Sequence, residues 1–254
     1  MFSQQNRDTA YKPPAREPSY RQRGPVVLID EGHYNFHTAG GRFQTFADLL
    51  RSDGYTVKPL AGPFTPQSLL PARVLVISNA LSKRNENDWS LPTPSAFTDE
   101  EIATVAAWVR GGGRLLLIAD HMPFPGCADN LAGALGVRFI NAFVSDSRPQ
   151  PPPDVFSRGD GSLADHAITE GRSARERIES VATFGGSAFQ AEGAAPLLVL
   201  GPYFVAATPK SLADMNPSTP RIPVKGWLQG AVLTVGKGRV AVFGEAGMFT
   251  AQVS

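Results

Sequence analysis

The chain has 254 residues, 42% of them hydrophobic, and its 24 basic and 23 acidic side chains leave a net charge of +1. A chain of this length buries roughly three quarters of its unfolded surface, as one large α/β domain or two smaller ones. The balanced charge excludes the basic patch typical of nucleic-acid binding, no apolar run reaches the roughly 18 residues that span a membrane, and the single Cys127 excludes an internal disulfide.

Residues 1–24 are polar and contain proline, which predicts a disordered or surface arm without a secretory apolar segment. Residues 25–254 are predicted to form a single α/β domain, because apolar runs typical of buried strands alternate with amphipathic stretches. This order predicts a doubly wound, mainly parallel sheet with right-handed crossovers. The predicted strands are 26–29, 55–60, 73–80, 114–120 and 137–141, and the predicted helices are 43–50, 65–70, 98–110 and 127–135.

The irregular stretches of the sequence are long. Residues 81–96 show neither a helical nor a strand period, which predicts a functional or mobile loop. Residues 142–165 carry four prolines around Gln150 and are predicted to form a stiff excursion outside the core. The strand-rich remainder includes a predicted hairpin through residues 236–238. The sequence stops just after a strand and a turn, so we expect the domain to lack a C-terminal helix.

Histidines and carboxylates cluster just after the predicted strands. The carboxyl ends of neighbouring parallel strands share one crevice, which is where ligands bind in open α/β sheets. We therefore expect a site at this edge, while His166 is more isolated in the sequence. The candidates after the first strand are Asp30, Glu31, His33 and His37, and those after the strand 114–120 are Asp120 and His121.

Four motifs together resemble a largely uncharacterised bacterial family. They are DEGHYNFHT (30–38), WSLPTPSAFTDEE (89–101), IADHMPFPG (118–126) and GEAGMFTAQ (244–252). That family is related to the class I glutamine amidotransferase-like superfamily, and so to the domain shared by gliding-motility and intraflagellar transport proteins. The resemblance spans roughly residues 25–252 and implies a flavodoxin-like, three-layer α/β fold. It also implies an exported, periplasmic protein.

The sequence departs from true amidotransferases at the catalytic position. Those enzymes place a cysteine nucleophile on a sharp strand-to-helix elbow after the third strand, where this chain has Ile77, Ser78, Asn79 and Ala80. We therefore do not expect amidotransferase chemistry.

A metal site is the first chemical hypothesis. His33, His37 and His121 with nearby carboxylates would form a nitrogen and oxygen ligand set, suited to a divalent ion such as zinc that activates water. The segment is not HExxH, since Tyr34 replaces the glutamate, so the base would come from Asp30, Glu31, Asp120 or Glu245. The alternative is structural: His33 caps a turn, His37 packs on Phe36 or Phe43, and Asp120 with His121 orients a loop. No glycine-rich motif predicts a nucleotide cofactor.

Two further hypotheses use other nucleophiles. Ser78 at the elbow could attack an ester or amide, with His33 or His121 as base, and Ser187 is a weaker candidate because its context lacks the second glycine of G-x-S-x-G. Ser78 could equally be a small residue that permits close packing. A carboxylate pair drawn from the same edge could cleave a glycosidic bond. Sugar contacts would then come from Asn79, Asn85, Trp89, Tyr34, Phe36 and Phe124, although aromatic residues more often pack in the core.

These patterns favour a hydrolase acting on an ester, amide or glycosidic bond of a small molecule or glycan. Asn79 would polarise the substrate, Glu245 would join from the last strand, and the loop 81–96 would form a wall or lid bearing Trp89. The alternative is a non-catalytic domain of the cell envelope that binds a glycan or a protein partner. The oligomeric state does not follow from the sequence.

Overall fold

The computed structural model describes residues 6–13, 17–149 and 152–253. Residues 1–5 and 14–16 of the predicted arm, and residues 150–151 of the predicted excursion, lie outside the described residues. Within the described ranges, no helix has the length and apolar character needed to cross a bilayer.

The chain alternates short strands and helices in its first half and is strand-rich in its second half. The helices are α1 (Gln44–Ser52), α2 (Pro66–Leu69), α3 (Asp99–Arg110), α4 (Phe124–Ala134) and α5 (Ala167–Glu170), and single 3-10 turns cover Lys83–Asn85, Leu212–Asp214 and Gly247–Phe249. The strands are β1 (Asn6–Arg7), β2 (Val26–Asp30), β3 (Thr56–Leu60), β4 (Val74–Ser78), β5 (Arg114–Ile118), β6 (Val137–Ile140), β7 (Phe143–Asp146), β8 (Asp154–Ser157), β9 (Ser180–Thr183), β10 (Ala188–Ala191), β11 (Ala195–Val199), β12 (Phe204–Ala207), β13 (Arg221–Pro223), β14 (Leu228–Val235), β15 (Gly238–Phe243) and β16 (Gln252–Val253).

The central sheet has a parallel part and an antiparallel part. Strands β3, β2, β4, β5 and β15 are parallel neighbours in that order, and β14, β10 and β6 continue the sheet antiparallel, with β11 also paired to β14. The predicted hairpin through 236–238 is the turn between β14 and β15. The mainly parallel α/β architecture of flavodoxin-like type is therefore confirmed.

Both faces of the parallel strands are covered, which explains their continuous apolar sequences. Leu75 and Leu117 point to the face covered by α3 and α4, where Val105 and Leu131 are fully buried. Val27 and Ile29 point to the opposite face, which α1 covers through Phe43 and Ala47.

The helix starts follow from local sequence. Thr98 accepts a hydrogen bond from the Glu101 N–H, and the Glu101 side chain accepts one from the Thr98 N–H, so the predicted capping box is present. Helix α4 begins at Phe124, three residues before the predicted start at Cys127. The prediction was wrong there because Pro125 lies in the first turn, where a helix tolerates proline.

The segment 142–165 is not an excursion outside the core. Its described residues contribute β7 to a sheet with β12 and β13, and β8 to a hairpin with β9. Ala142, Val144 and Phe156 are at most 1% exposed and pack in the same cluster as Val27 and Ile29. The prediction was wrong because it gave weight to the prolines and not to the alternating apolar residues on either side of them. Part of the N-terminal arm also pairs, since β1 lies antiparallel to β16.

We expect Leu117→Ala to lower the free energy of unfolding by about 2–5 kcal/mol, because it leaves a cavity at a fully buried position of a central strand. Urea unfolding followed by circular dichroism measures this change. The matched control is Leu70→Ala, since Leu70 is 83% exposed and its truncation removes little packing. Equal losses in the two variants would contradict the assigned core.

Candidate functional site

Four polar residues end four neighbouring parallel strands at one edge of the sheet. They are Asp30 as the last residue of β2, Asn79 after β4, Asp120 after β5 and Glu245 after β15, and each is at most 5% exposed. The strand ends are level, because Ser78 pairs with Ile118 and Ile118 with Phe243. The carboxyl edge is therefore polar but largely closed to water.

His33 bridges two carboxylates that are distant in the sequence. Its Nδ1 lies 2.9 and 3.0 Å from the two carboxylate oxygens of Asp30, and its Nε2 lies 2.9 Å from Oε1 of Glu101. The ring also packs between Phe64 and Phe97. With both nitrogens engaged and only 6% exposure, His33 ties the N-terminus of α3 to the end of β2.

The protonation state of this triad follows from its charges. Burial by itself lowers the pKa of His33, but the hydrogen bonds and charges of Asp30 and Glu101 outweigh burial and raise the pKa above 6.5. Burial likewise opposes ionisation of Glu101, whereas hydrogen bonds from the Thr98 N–H, His33 and the Phe64 N–H hold the pKa of that carboxyl below its usual value. The two carboxyl partners therefore favour the charged form of the His33 ring.

His37 and Ser78 form a second, wholly interior pair. His37 Nδ1 lies 3.1 Å from Ser78 Oγ, and the two residues are at most 1% exposed. The ring stacks on Phe43 and meets Phe36 edge-on. Burial, with the charge of Arg42, lowers the pKa of His37 to about 3, so the ring is neutral. This arrangement matches the packing alternative for both residues.

Asp120 links the ends of β4, β5 and β15 through backbone groups. Its N–H donates to Asn79 Oδ1 at 2.9 Å, its Oδ1 accepts from the His121 N–H at 2.7 Å, and its Oδ2 accepts from the Ala246 N–H at 3.2 Å. Asn79 adopts a left-handed backbone with φ of 48°, which marks a sharp turn directly after β4. These bonds hold the loop that carries His121.

The pKa of the Glu245 carboxyl group is strongly raised. Burial and the charge of Asp120 raise the pKa of Glu245 to about 8, although the N–H groups of Met248 and Gly247 donate to its oxygens. At neutral pH it is therefore protonated. A neutral carboxyl beside the Asp120 carboxylate limits the charge repulsion at this edge.

His121 is the half-exposed histidine of the edge. Its Nδ1 lies 2.7 Å from the Met122 carbonyl, which can only accept, so Nδ1 carries the proton and Nε2 presents a lone pair. The ring stacks on Phe143 at 4.7 Å and lies 5.7 Å from Trp89 and 5.8 Å from Phe124. Among the described residues, no hydrogen bond engages Nε2.

The other predicted site residues form hydrogen bonds or packing contacts within the surrounding loops and helix ends. Glu31 accepts a hydrogen bond from the Ala39 N–H, and Ser187 donates to the Ala119 carbonyl at 2.6 Å. Asn85 donates to the Asp88 and Ser90 carbonyls and accepts from Ser82, so it shapes the loop 81–96 from within. Phe124 is buried at the start of α4, while Trp89 is half-buried against it. His166 caps α5 by accepting from the Ile168 N–H.

The three predicted metal ligands do not share a common free face. Both nitrogens of His33 bond to carboxylates, so an ion could be held by His33 only if one of these contacts broke. His37 Nδ1 contacts Ser78, and its Nε2 is buried without a hydrogen-bond partner among the described residues. Within the ranges that the structure describes, no group of three or more His, Cys, Asp or Glu side chains is arranged to hold a metal ion. The zinc site stays an untested prediction.

Glu101 is the residue that sequence analysis placed only in a helix cap. It lies 68 positions from His33, and nothing in the local pattern connects the two.

Among the described residues, cavities also lie away from the carboxyl edge of the sheet. One is lined by the β7, β8 and β12 regions, one by residues 93–95 with α4 and Phe139, and one by α1 with residues 248–251.

No protein-family model matches the sequence, and no curated protein is similar enough to count as a relative. Solved structures are similar in fold. The mmIFT52 N-terminal domain gives a TM-score of 0.64 at 15% identity over 88% of both chains. The cytoplasmic protein STM1381 from Salmonella typhimurium LT2 gives 0.52 at 18% identity over 87% of both chains. A ThuA-like protein from Bacteroides uniformis gives 0.47 at 12% identity, over 92% of this chain and 84% of that one. At these identities the likeness shows the fold alone, and the first two agree with the amidotransferase-like fold implied by the motifs.

We expect Glu101→Gln to destabilise the protein by about 3 kcal/mol near pH 6, because it leaves His33 with one carboxylate partner. The pKa of His33 is raised by folding, so the stabilisation is full below 6.5 and is lost as pH rises through the folded-state value. Urea unfolding across this range should show the difference between wild type and variant shrinking with pH. Glu100→Gln, an exposed neighbour on α3, should track the wild type. A pH-independent difference would contradict the triad.

We expect the stability of Glu245→Gln, like that of Glu101→Gln, to rise relative to the wild type as pH rises. The unfolded chain loses the proton near 4.5, whereas the folded carboxyl keeps it to about 8, so wild-type stability falls as pH rises through that window. The amide cannot ionise, and the variant should gain on the wild type with rising pH. Thermal unfolding at a series of pH values measures this, with the exposed Glu86→Gln as control. Parallel curves for Glu245→Gln and wild type would refute the buried neutral carboxyl.

Proposed function

We propose that this protein is a hydrolase in which His121 is the general base. The observation that carries the proposal is the bond between His121 Nδ1 and the Met122 carbonyl, which places the lone pair of the neutral ring on Nε2 of a half-exposed side chain. A general base needs a free lone pair and access to water or substrate. Both nitrogens of His33 are hydrogen-bonded, and His37, whose Nε2 has no partner among the described residues, is fully buried and has no access to water.

The surroundings of His121 suit a polar reaction beside an apolar surface. Trp89 and Phe143 flank the ring, are partly exposed and would pack against an apolar part of the substrate, while the buried Phe124 supports the ring from within. Asp120 precedes the base, and its Oδ1 accepts a hydrogen bond from the His121 N–H, which fixes the backbone that carries the ring. The loop 81–96, which carries Trp89, forms one wall.

The proposed reaction is attack of water on an ester or amide carbonyl. Nε2 of His121 takes a proton from the attacking water as its oxygen bonds to the carbonyl carbon. The resulting imidazolium then returns that proton to the leaving oxygen or nitrogen as the bond to carbon breaks. A divalent metal is not needed for this proton balance, and the zinc hypothesis remains a separate proposal.

The second candidate is a non-catalytic binding domain for a glycan or protein partner. It is favoured by the number of predicted site residues that serve the local structure, among them His33, Ser78 and Asn85. In that case the aromatic wall around Trp89 binds a ligand without turnover. The bacterial family suggested by the motifs fits either candidate.

We expect His121→Gln to reduce hydrolysis about 100-fold or more, as loss of a general base does. The assay uses p-nitrophenyl acetate, p-nitroanilide amides and p-nitrophenyl glycosides with the purified full chain. His166→Gln is the matched control, because His166 caps α5 in another part of the fold. Equal activity in the two variants would overturn the assignment, and no turnover on any substrate would favour the binding domain.

A further inference from the structure

A polar cavity of about 390 Å³ lies between the loop 81–96, the first turn of α4 and the residues around the end of β6. Its volume falls within the range of roughly 300–1,000 Å³ that is common for small-molecule sites. The cavity lies off the carboxyl edge itself, and the proposed reaction at His121 does not use it. The side chains that give its wall hydrogen-bonding or apolar character are Thr93, Ser95, Asp129, Asn130, Phe139 and Asn141.

The chemistry of this wall favours a neutral ligand. Among the described residues that line the cavity none is basic, so an anion would meet no counter-ion. The acidic side chain of the wall, Asp129, is exposed, and a cation would therefore gain little from this water-screened partner. The hydroxyl and amide groups both donate and accept hydrogen bonds, as the hydroxyl groups of a sugar do. Phe139 adds a half-buried apolar surface beside them.

Asn141 has hydrogen-bonding capacity that the protein itself does not use. Its Nδ2 donates to Thr93 Oγ1 at 3.1 Å, whereas its Oδ1 is buried and accepts from no group in the part of the chain that the structure describes. A buried carbonyl oxygen without a donor is costly. Because the Thr93 hydroxyl can donate as well as accept, the Asn141 amide can turn towards the cavity and keep this partner. A ligand hydroxyl that donates to the amide oxygen would remove the cost.

Gly126 allows the two sides of the wall to meet. A Cβ atom at this position would collide with Thr93 Oγ1 and would lie 2.6 Å from Asn141 Nδ2. A larger residue in the first turn of α4 would therefore push apart the loop 81–96 and the end of β6. The hydrogen bond between Thr93 and Asn141, which closes this side of the cavity, depends on the missing side chain.

The segments that line the cavity also flank His121. Phe124, whose ring centroid lies 5.8 Å from that of His121, belongs to the same first turn of α4. Phe143 stacks on His121 at 4.7 Å and follows Asn141 by two positions in the chain. The loop 81–96 contributes to both places. A substrate with its carbonyl group at His121 therefore has this polar cavity beside it.

We propose that this cavity, the Asn141 cavity, binds the sugar part of the substrate, and that the hydrolase acts on an acyl ester of a sugar. The proposal rests on the assigned role of His121 as general base. Nε2 takes a proton from water as the water oxygen bonds to the ester carbonyl carbon. The bond from that carbon to the sugar oxygen then breaks, and the sugar oxygen takes up the proton. The products are a carboxylic acid and a free sugar hydroxyl. The remaining hydroxyls of the sugar would bond to Asn141 and Asn130.

Saturation-transfer difference NMR on the full chain tests the cavity separately from hydrolysis. The probes are methyl β-D-glucopyranoside and methyl β-D-xylopyranoside, with tetrahydropyran as the ring without hydroxyls, acetate as an anion and tetramethylammonium as a cation. We expect saturable binding of at least one glycoside and none of the other probes. Asn141→Leu, which keeps the size of the side chain and removes the amide, should weaken binding about tenfold.

Two further variants separate loss of binding from loss of folding. Asn130→Ala changes an exposed residue of α4 and should weaken glycoside binding about threefold with an unchanged circular dichroism spectrum. Gln67→Leu makes the amide-to-leucine change at an exposed position of α2 and should leave binding unchanged. The cavity assignment is overturned if neither glycoside binds at about 50 mM, if tetrahydropyran, acetate or tetramethylammonium binds as well, or if Asn141→Leu binds like the wild type.

Hydrolysis of acetylated methyl glycosides, compared with that of p-nitrophenyl acetate, tests the substrate class. Asn141→Leu should raise KM for the sugar ester about tenfold and leave KM for p-nitrophenyl acetate unchanged, because the second substrate has no sugar to place in the cavity. An equal change for both esters would contradict the proposal. Turnover of p-nitrophenyl acetate without glycoside binding would overturn this inference alone, whereas glycoside binding without turnover of either ester would overturn the hydrolase and the sugar-ester substrate together.

Discussion

The structure depends on how buried carboxyl groups are satisfied at the carboxyl edge of the parallel strands. A buried carboxylate costs several kcal/mol unless it is paired or hydrogen-bonded, and this edge holds four such groups. Asp30 and Glu101 share the His33 ring, Asp120 accepts hydrogen bonds from two backbone N–H groups, and burial raises the pKa of Glu245 to about 8. The hydrogen bonds of these carboxyl groups also connect separate loops, so the polar edge helps to hold the strand ends in place.

This constraint separates the histidines by role. Carboxyl partners raise the pKa of His33, whereas burial among Phe36, Phe43 and Ser78, with the charge of Arg42, lowers the pKa of His37 to about 3. His121 retains an exposed lone pair because its other nitrogen is held by a backbone carbonyl. Three imidazoles at one edge thus differ in protonation and access, and access to solvent decides which of them can take part in a reaction.

The second half of the chain adds a different environment. Strands β7, β8 and β12 pack against the α1 face of the sheet, and their connecting segments enclose a cavity with an excess of negative charge. The cavity and the His121 site are built on separate parts of the fold, with different chemistry. The first is lined by Asp146, Arg148, Asp154 and Asp160, whereas aromatic rings flank His121 in the second. Either site can therefore be altered without removing the side chains of the other.

The sequence by itself determined the parallel strands, the Thr98 capping box, the hairpin at 236–238 and the placement of polar residues after strands, because all of these depend on local periodicity and turn chemistry. It misjudged the segment 142–165, where prolines masked buried alternation, and it gave Glu101 only a capping role. Only the tertiary structure decided that Glu101 meets His33, that Ser78 and His37 are closed to water, and that His121 is not. Such facts depend on contacts between residues dozens of positions apart and on burial, which local patterns do not encode.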